Sequence, residues 1–184
     1  YSDARAVKRT ALGRFRHEGC WLGKLEAGQP VVYYSGHDSR NEYVYKYVSD
    51  AAWDPADANR PGEAYNRLAI GSKYLDNGTL FVARFHADGS GEWLPLTPDA
   101  QTRDGRTLAA ALGLASDDHA GIIINTCDAA DLLGATPMDR PEWASVDPAS
   151  GDVYLTLTNN TQRTAEDTSP TYTNDGERLE QSGV

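Results

Sequence analysis

The chain has 184 residues, 40% of them hydrophobic, with four tryptophans and ten tyrosines. This composition is sufficient for a packed core and excludes a chain that is disordered throughout. The formal charge of −10 and the pI of about 4.7 argue against nucleic-acid binding through a basic surface. No apolar stretch approaches the ~18–20 residues of a membrane-spanning helix, so no span is expected.

The start of the chain and its cysteines bear on its origin and on its metal chemistry. The sequence begins at Tyr1 and its single methionine is Met138, so we expect a fragment or processed piece of a longer protein. Cys20 and Cys127 neither require nor exclude a disulfide. Neither CxxC nor HExxH occurs, so zinc sites of the common kinds are not predicted.

The first half of the chain predicts strands followed by a loop. Residues 14–35 contain two strand-like segments around a Gly-Gln-Pro turn and predict a hairpin. Residues 42–48 alternate Tyr and Val with Glu and Lys, as is typical of a half-buried strand. Residues 49–71 are rich in Pro, Asp and Ala and predict a loop, packed against the remainder through Trp53 and Tyr65.

A second hairpin and a helical segment follow. Residues 75–96 predict a hairpin because Asn-Gly and Asp-Gly dipeptides tolerate the positive φ of tight turns. From about 104 to 135 the apolar residues recur at helical spacing, with Asp104 or Thr107 as candidate N-caps. We therefore expect a mainly β domain over residues 1–184 with a helical insertion at about 104–135. The polar tail from Thr161 predicts a loop.

Two hairpins share a pattern that predicts a metal site. Each opens with Arg-x-Glu and closes on short oxygen-bearing side chains 17 to 20 residues after the glutamate. In a β-propeller blade the first strand lines the central channel and the second leads back towards the same face, so both ends can converge near the axis. Oxygen ligands of this kind suit calcium. Two ordinary hairpins with polar turns are the alternative. The candidate ligands are Glu18, Asp38, Glu142, Asn159 and Asn160.

The length limits how much of a propeller is present. A blade takes about 40–50 residues, and the insertions leave room for two or three blades. We therefore expect a partial β-propeller whose ring is completed by strands outside this chain.

Several strings resemble the PhoX family of alkaline phosphatases. TPMDRPEW and LTNN are specific as a pair, and GRFRHE, GHDSRNEYVYKYVS and GTLFVARFHADGSGEWLPL occur in the family's order. Together these cover most of residues 13–160. The resemblance implies a six-bladed propeller with iron and calcium in its channel, phosphoester hydrolysis, a small phosphate ester as substrate, and export to the periplasm or outside the cell.

The resemblance also implies roles for individual residues. Glu18 matches a metal ligand, Glu142 a metal-bridging glutamate, and Arg140 the catalytic arginine that holds substrate phosphate. Asp38 falls where the family places an acidic residue near the metals. Asn159 and Asn160 match LTNN.

The sequence departs from the family at one ligand. The family's metal-ligating cysteine sits in an upstream motif of the type TWLSCEE, which does not occur in this chain. Cys20 and Cys127 lie in other contexts. We therefore expect about half of a metal site and little activity from the chain alone.

Arg140 separates the competing functions. Its guanidinium can bind phosphate oxygens bidentately, and alternation along an extended strand would place Arg140 and Glu142 on one side. A calcium-dependent lactonase or esterase, one alternative, would instead favour a neutral or His-lined pocket. The other alternative is a calcium-stabilised propeller that acts as a binding scaffold without catalysis.

Two further residues were considered for the site. Arg16 repeats the Arg-x-Glu spacing of Arg140 and Glu142, and a salt bridge at the rim of the channel is the favoured interpretation for it. Of the histidines, His37 beside Asp38 is the best candidate ligand.

Overall fold

The computed structural model describes residues 6–161. Antiparallel strands dominate this part of the chain, with a few short helices. The strands are β1 (Trp21–Leu22), β2 (Pro30–Gly36), β3 (Arg40–Glu42), β4 (Val44–Ala52), β5 (Gly78–Phe85), β6 (Gly91–Pro95), β7 (Met138–Asp139), β8 (Pro141–Val146) and β9 (Val153–Leu157). The α-helices are α1 (Arg67–Leu75), α2 (Leu108–Leu112), α3 (His119–Ile124) and α4 (Thr126–Leu133).

The largest sheet has five antiparallel strands in the order β1-β2-β4-β5-β6. The predicted hairpins at 14–35 and 75–96 are both confirmed, as β1–β2 and β5–β6. Side-chain alternation along β4 explains how the sheet holds its core. Tyr45 and Tyr47 are almost completely buried with Leu80 of β5, whereas Lys46 lies on the other face, 4.7 Å from the Trp93 ring centroid.

Helices α2, α3 and α4 cover the Tyr45 face of this sheet. The predicted insertion at about 104–135 contains all three helices. Thr107 is the N-cap of α2, since its hydroxyl accepts a hydrogen bond from the Ala110 amide. Leu108 and Ile122 are fully buried in the same core cluster as the β4 tyrosines. The insertion therefore forms the second layer of the core.

The loop predicted at 49–71 is wrong at both ends, because residues 49–52 belong to β4 and residues 67–71 belong to helix α1. Asn66 caps the helix by accepting a hydrogen bond from the Ala69 amide. At its other end Tyr74 is buried against Trp53, with 5.5 Å between the ring centroids. The helix depends on this tertiary packing, which local composition does not reveal. The predicted loop beyond Thr161 lies outside the described residues.

The two remaining sheets are small. Strands β3 and β7 pair with each other, and β8 pairs with β9 in the hairpin that was predicted after residue 140. Within residues 6–161 no sheet closes on itself. The described helices include none that is both long and apolar enough to cross a bilayer.

Candidate active site at the end of strand β2

A cleft of about 590 Å³ lies at the end of β2, and three of the six predicted site residues line it, whereas Glu142, Asn159 and Asn160 do not. Three of its side chains are guanidinium groups and two are carboxylates. The lining consists of Arg16, His17, Glu18, Asp38, Ser39, Arg40 and Arg140. Glu18, Asp38 and Arg140 are thus brought to one place although up to 122 positions separate them in the sequence.

Short backbone pairing brings residues 16–18 to the end of β2. His17 and His37 form an antiparallel bridge. The Glu18 amide donates to the Gly36 carbonyl oxygen at 3.2 Å, and the Asp38 amide donates to the Arg16 carbonyl oxygen at 3.2 Å. Glu18 and Asp38 are therefore held by main-chain hydrogen bonds, so their positions do not depend on flexible loops.

Strand β8 reaches the cleft because Gly36 has no side chain. A methyl group added at Gly36 would lie 2.4 Å from the Pro141 carbonyl oxygen and 2.8 Å from that of Glu142. Only glycine permits the two backbones to approach this closely. Both Arg-x-Glu segments are thereby joined at one contact.

Arg140 is held by two carboxylates. Its Nε lies 3.0 Å from Asp38 Oδ1, and its Nη2 donates to Asp38 Oδ2 at 3.2 Å. Nη2 is also 3.8 Å from Glu142 Oε1. The predicted proximity of Arg140 and Glu142 is confirmed, but the predicted cause is wrong. Arg140 precedes β8 with φ of 50°, in the left-handed region, so strand alternation does not place it.

Hydrogen bonds fix both glutamates. Glu142 Oε1 accepts from the Thr158 hydroxyl at 2.8 Å, and Glu18 Oε1 accepts from the Trp143 indole Nε1 at 3.3 Å. The β8–β9 hairpin thus supplies Glu142 and supports Glu18. Its pairing register shifts between Pro141 and Ala144, and such irregularities redirect side chains near functional sites.

The two asparagines lie away from the cleft lining. Asn160 is buried, and its Nδ2 donates to Asn41 Oδ1 at 3.1 Å. Asn41 has φ of 61° and lies in β3, three residues after Asp38. Asn159 is exposed. The structure therefore places Asn160 where it supports β3.

Two further arginines line the cleft. Arg16 is one of them, and within residues 6–161 it forms no salt bridge of the kind predicted for it. Arg40, two residues after Asp38, also lines the cleft and was missed. Alternation of Asp38 and Arg40 was the signal that could have found it.

A second polar group lies on the buried side of the same strand end. His37 Nδ1 is 2.9 Å from Glu42 Oε2 and 3.6 Å from Cys127 Sγ. Burial raises the pKa of the Cys127 thiol to about 11, and the Glu42 carboxylate contributes next. Sequence reasoning missed Glu42 and Cys127, because α4 brings Cys127 to His37 across 90 positions. We call these three residues the His37 cluster.

Comparison with known proteins agrees with the resemblance in the sequence. The family model described as alkaline phosphatase PhoX matches residues 2–182. The chain belongs to the PhoX alkaline phosphatase family. A comparison with curated protein sequences found no significant match.

A PhoX structure shares this fold. It is described as Pseudomonas fluorescens PhoX in complex with vanadate, a transition state analogue. The TM-score is 0.71 at 40% sequence identity, over 91% of this chain. The chain covers 27% of the length of that protein.

The residues at the cleft fit a hard cation. Asp38 Oδ1 is buried, and although Arg140 Nε lies 3.0 Å away, it accepts no well-aligned hydrogen bond from any described residue. An under-satisfied carboxylate oxygen is a suitable ligand for calcium or for a carboxylate-bound iron. The acidic donors in the described cleft lining are the carboxylates of Glu18 and Asp38, and the one imidazole there, His17, has its ring nitrogens within hydrogen-bond distance of Ser35 and Gly13.

Proposed function

We propose that this chain forms part of the channel of a six-bladed PhoX propeller that hydrolyses phosphomonoesters. The observation that carries the proposal is Arg140, bridged to Asp38 and Glu142 at a cleft that also contains Glu18. A family match over residues 2–182 supports it.

The three arginines of the cleft suit a phosphate dianion. Arg16, Arg40 and Arg140 concentrate positive charge in a protein whose formal charge is −10. Asp38 and Glu142 engage Nε and Nη2 of Arg140, which fixes the plane of the guanidinium before substrate binds. Because the guanidinium is already oriented, its N–H groups need little rearrangement when negative charge redistributes over the phosphoryl oxygens in the transition state.

Glu18, Asp38 and Glu142 are the residues that would hold calcium and iron, and Asn159 remains a candidate oxygen ligand. When bound, such metals polarise the phosphoryl group and supply an activated oxygen nucleophile. The chain's own contribution is to hold the carboxylates in place, through Trp143 for Glu18 and through Thr158 for Glu142.

We further propose that the remainder of the propeller completes both the ring and the metal site, and that the protein is periplasmic or secreted. The 27% coverage of the vanadate-bound PhoX is consistent with a partial ring. A lactonase is less well supported, because three arginines line the cleft. A scaffold without catalysis is distinguished from a phosphatase by the experiment below.

Two measurements test the proposal. In calorimetric titrations with Ca²⁺, Asp38→Asn should weaken binding to the chain, whereas Asp88→Asn, at an exposed turn, should not.

Catalysis is tested in a chimaera, in which this chain is substituted for the matching segment of the Pseudomonas fluorescens PhoX. We expect the chimaera to hydrolyse p-nitrophenyl phosphate and the chain alone to show little turnover. A folded chimaera that binds Ca²⁺ yet has no phosphatase activity would favour the scaffold.

A further inference from the structure

The His37 cluster has the composition of a transition-metal site. His37 is 5% exposed and lies at the end of β2, Glu42 ends β3, and Cys127 is in the first turn of α4. One ligand atom from each residue can be chosen so that all three lie within 4.8 Å of one another. Imidazole, thiolate and carboxylate are the three common protein ligands of zinc.

One of the three separations already has the length expected for tetrahedral coordination. Metal–ligand bonds of about 2.0–2.3 Å at tetrahedral angles place neighbouring ligand atoms roughly 3.3–3.6 Å apart. The separation of 3.6 Å between His37 Nδ1 and Cys127 Sγ matches this spacing. Glu42 Oε2, 2.9 Å from His37 Nδ1, needs only a small rotation of its carboxylate.

An unsatisfied buried oxygen is the second observation. Glu42 Oε2 is inaccessible to solvent, and despite the short distance to His37 it accepts no well-aligned hydrogen bond from the described residues. A buried carboxylate oxygen without a donor is costly unless a cation compensates it. The charged groups that act on the Cys127 sulfur are also acidic: Glu42, Asp128 and Asp131.

We propose that His37, Glu42 and Cys127 bind one zinc ion or a similar divalent transition metal, with water in the fourth position. Sulfur and imidazole ligands favour such an ion over calcium. A neutral imidazole, a thiolate and a carboxylate balance the two positive charges, and the thiol proton leaves to solvent on binding. The site would tie α4 to the strand end whose next residue, Asp38, lines the cleft.

The competing interpretation is an ion pair of protonated His37 with Glu42, beside an ordinary thiol. That arrangement needs no metal and gives no spectroscopic signal with one. The inference does not depend on phosphatase activity, so it can fail while the proposed function stands.

Titration of the purified, chelator-treated chain with Co²⁺ tests the site, because cobalt reports its ligands by absorption. We expect one equivalent to produce a sulfur-to-cobalt charge-transfer band and the intense visible bands of a tetrahedral centre. Zn²⁺ should abolish both bands by displacement, whereas Ca²⁺ should not.

Three variants assign the ligands. Cys127→Ser should remove the charge-transfer band, and His37→Asn should weaken Co²⁺ binding at least tenfold. Cys20→Ser, at the exposed thiol, should leave both the charge-transfer band and the Co²⁺ affinity unchanged. Native-state mass spectrometry of the wild-type chain gives the zinc stoichiometry without any variant. An absent charge-transfer band in the wild type, or a band that requires Cys20, would overturn the proposal.

Discussion

The two sides of the β2 strand end differ in chemistry although one peptide bond separates them. On the Asp38 side lies an open cleft with carboxylates and arginines. On the His37 side lies a buried group with an imidazole, a thiol and a carboxylate. His37 and Asp38 directly follow β2, and the first is buried whereas the second lines the cleft, so a single chain segment serves both sides.

The exposed Asp38 side and the buried His37 side carry ligands of different chemistry because they differ in access to solvent. On the open side, Arg16, Glu18 and Arg40 are exposed, which suits an anionic ester and hard cations. On the closed side, burial raises the pKa of the Cys127 thiol, so a metal has to displace its proton before the sulfur can carry charge. Substitutions that affect one side, or both, can test this division.

The largest effect is expected on the cleft side, for Arg140→Lys in the active chimaera. Losing the planar guanidinium group should reduce kcat/KM for p-nitrophenyl phosphate by about 10²–10³-fold, because lysine cannot bind phosphoryl oxygens bidentately. The free energy of unfolding should change by less than ~1 kcal/mol. Arg106→Lys, whose guanidinium pairs with Asp104 at 2.7 Å on an exposed turn, is the matched control. An unchanged rate with a lower unfolding midpoint would make Arg140 a structural rim residue.

Gly36→Ala should disturb both sides together. The added methyl group would overlap the Pro141 carbonyl oxygen, so we expect a loss of about 2 kcal/mol in the free energy of unfolding, measured by denaturant titration. Gly28→Ala is the comparison: its φ is 78° and the added methyl meets open space, so only backbone strain of about 1 kcal/mol applies. Equal losses in the two variants would argue against a close contact between β2 and β8.

A smaller effect is expected for Thr158→Val, which removes the hydrogen bond to Glu142. One hydrogen bond contributes about 1 kcal/mol, so Ca²⁺ affinity measured by calorimetry should fall about fivefold. Thr156→Val, in β9 and two residues before Thr158, removes hydrogen bonds to the Trp143 backbone instead. That control should affect stability while leaving the Ca²⁺ affinity intact, and equal affinities in all three proteins would contradict a role for Glu142.

The smallest effect concerns pH and His17. Burial lowers the pKa of His17 below its ordinary value of 6.5, the hydrogen bond to Gly13 opposes this shift, and His37 adds to it. The folded chain therefore takes up this proton less readily than the unfolded chain. Stability should fall as the pH drops below about 6.5. The slope cannot exceed about 1.4 kcal/mol per pH unit, the limit for one proton, and it should be smaller because the His17 side chain is exposed.

Unfolding curves between pH 7 and pH 5 check this slope in the wild type and in His17→Asn, where it should flatten. His86→Asn, at an exposed histidine 3.2 Å from Glu92, serves as the control. If the His17→Asn curve keeps the full slope, other groups cause it.

Local signals predicted much of the fold. Turn dipeptides and alternation identified the hairpins at 14–35 and 75–96. Thr107 was one of two candidate caps, with Asp104, because N-capping depends on few neighbours. Helix α1 was missed because its stability comes from Tyr74 packing on Trp53, more than 20 positions away in the sequence. Such contacts are absent from any local window.

The site residues show the same difference between local sequence signals and tertiary contacts. Glu18, Asp38, Arg140 and Glu142 were found because motifs mark them. The left-handed backbone at Arg140 was not foreseen, since nothing in the Arg-Pro-Glu string specifies positive φ. Cys127 was missed because only the packing of α4 against the strand end brings it to His37.

The backbone of Arg140 has a consequence for attempts to make the protein heat-resistant. A φ of 50° costs an arginine about 1 kcal/mol relative to glycine, and asparagine also tolerates this region well. Gly or Asn at position 140 would relieve this strain but would leave the Asp38 carboxylate without its guanidinium partner. The two effects offset each other, so such variants would gain little thermal tolerance and would lose the cation that faces the cleft. A thermostability library for this protein should hold position 140 constant.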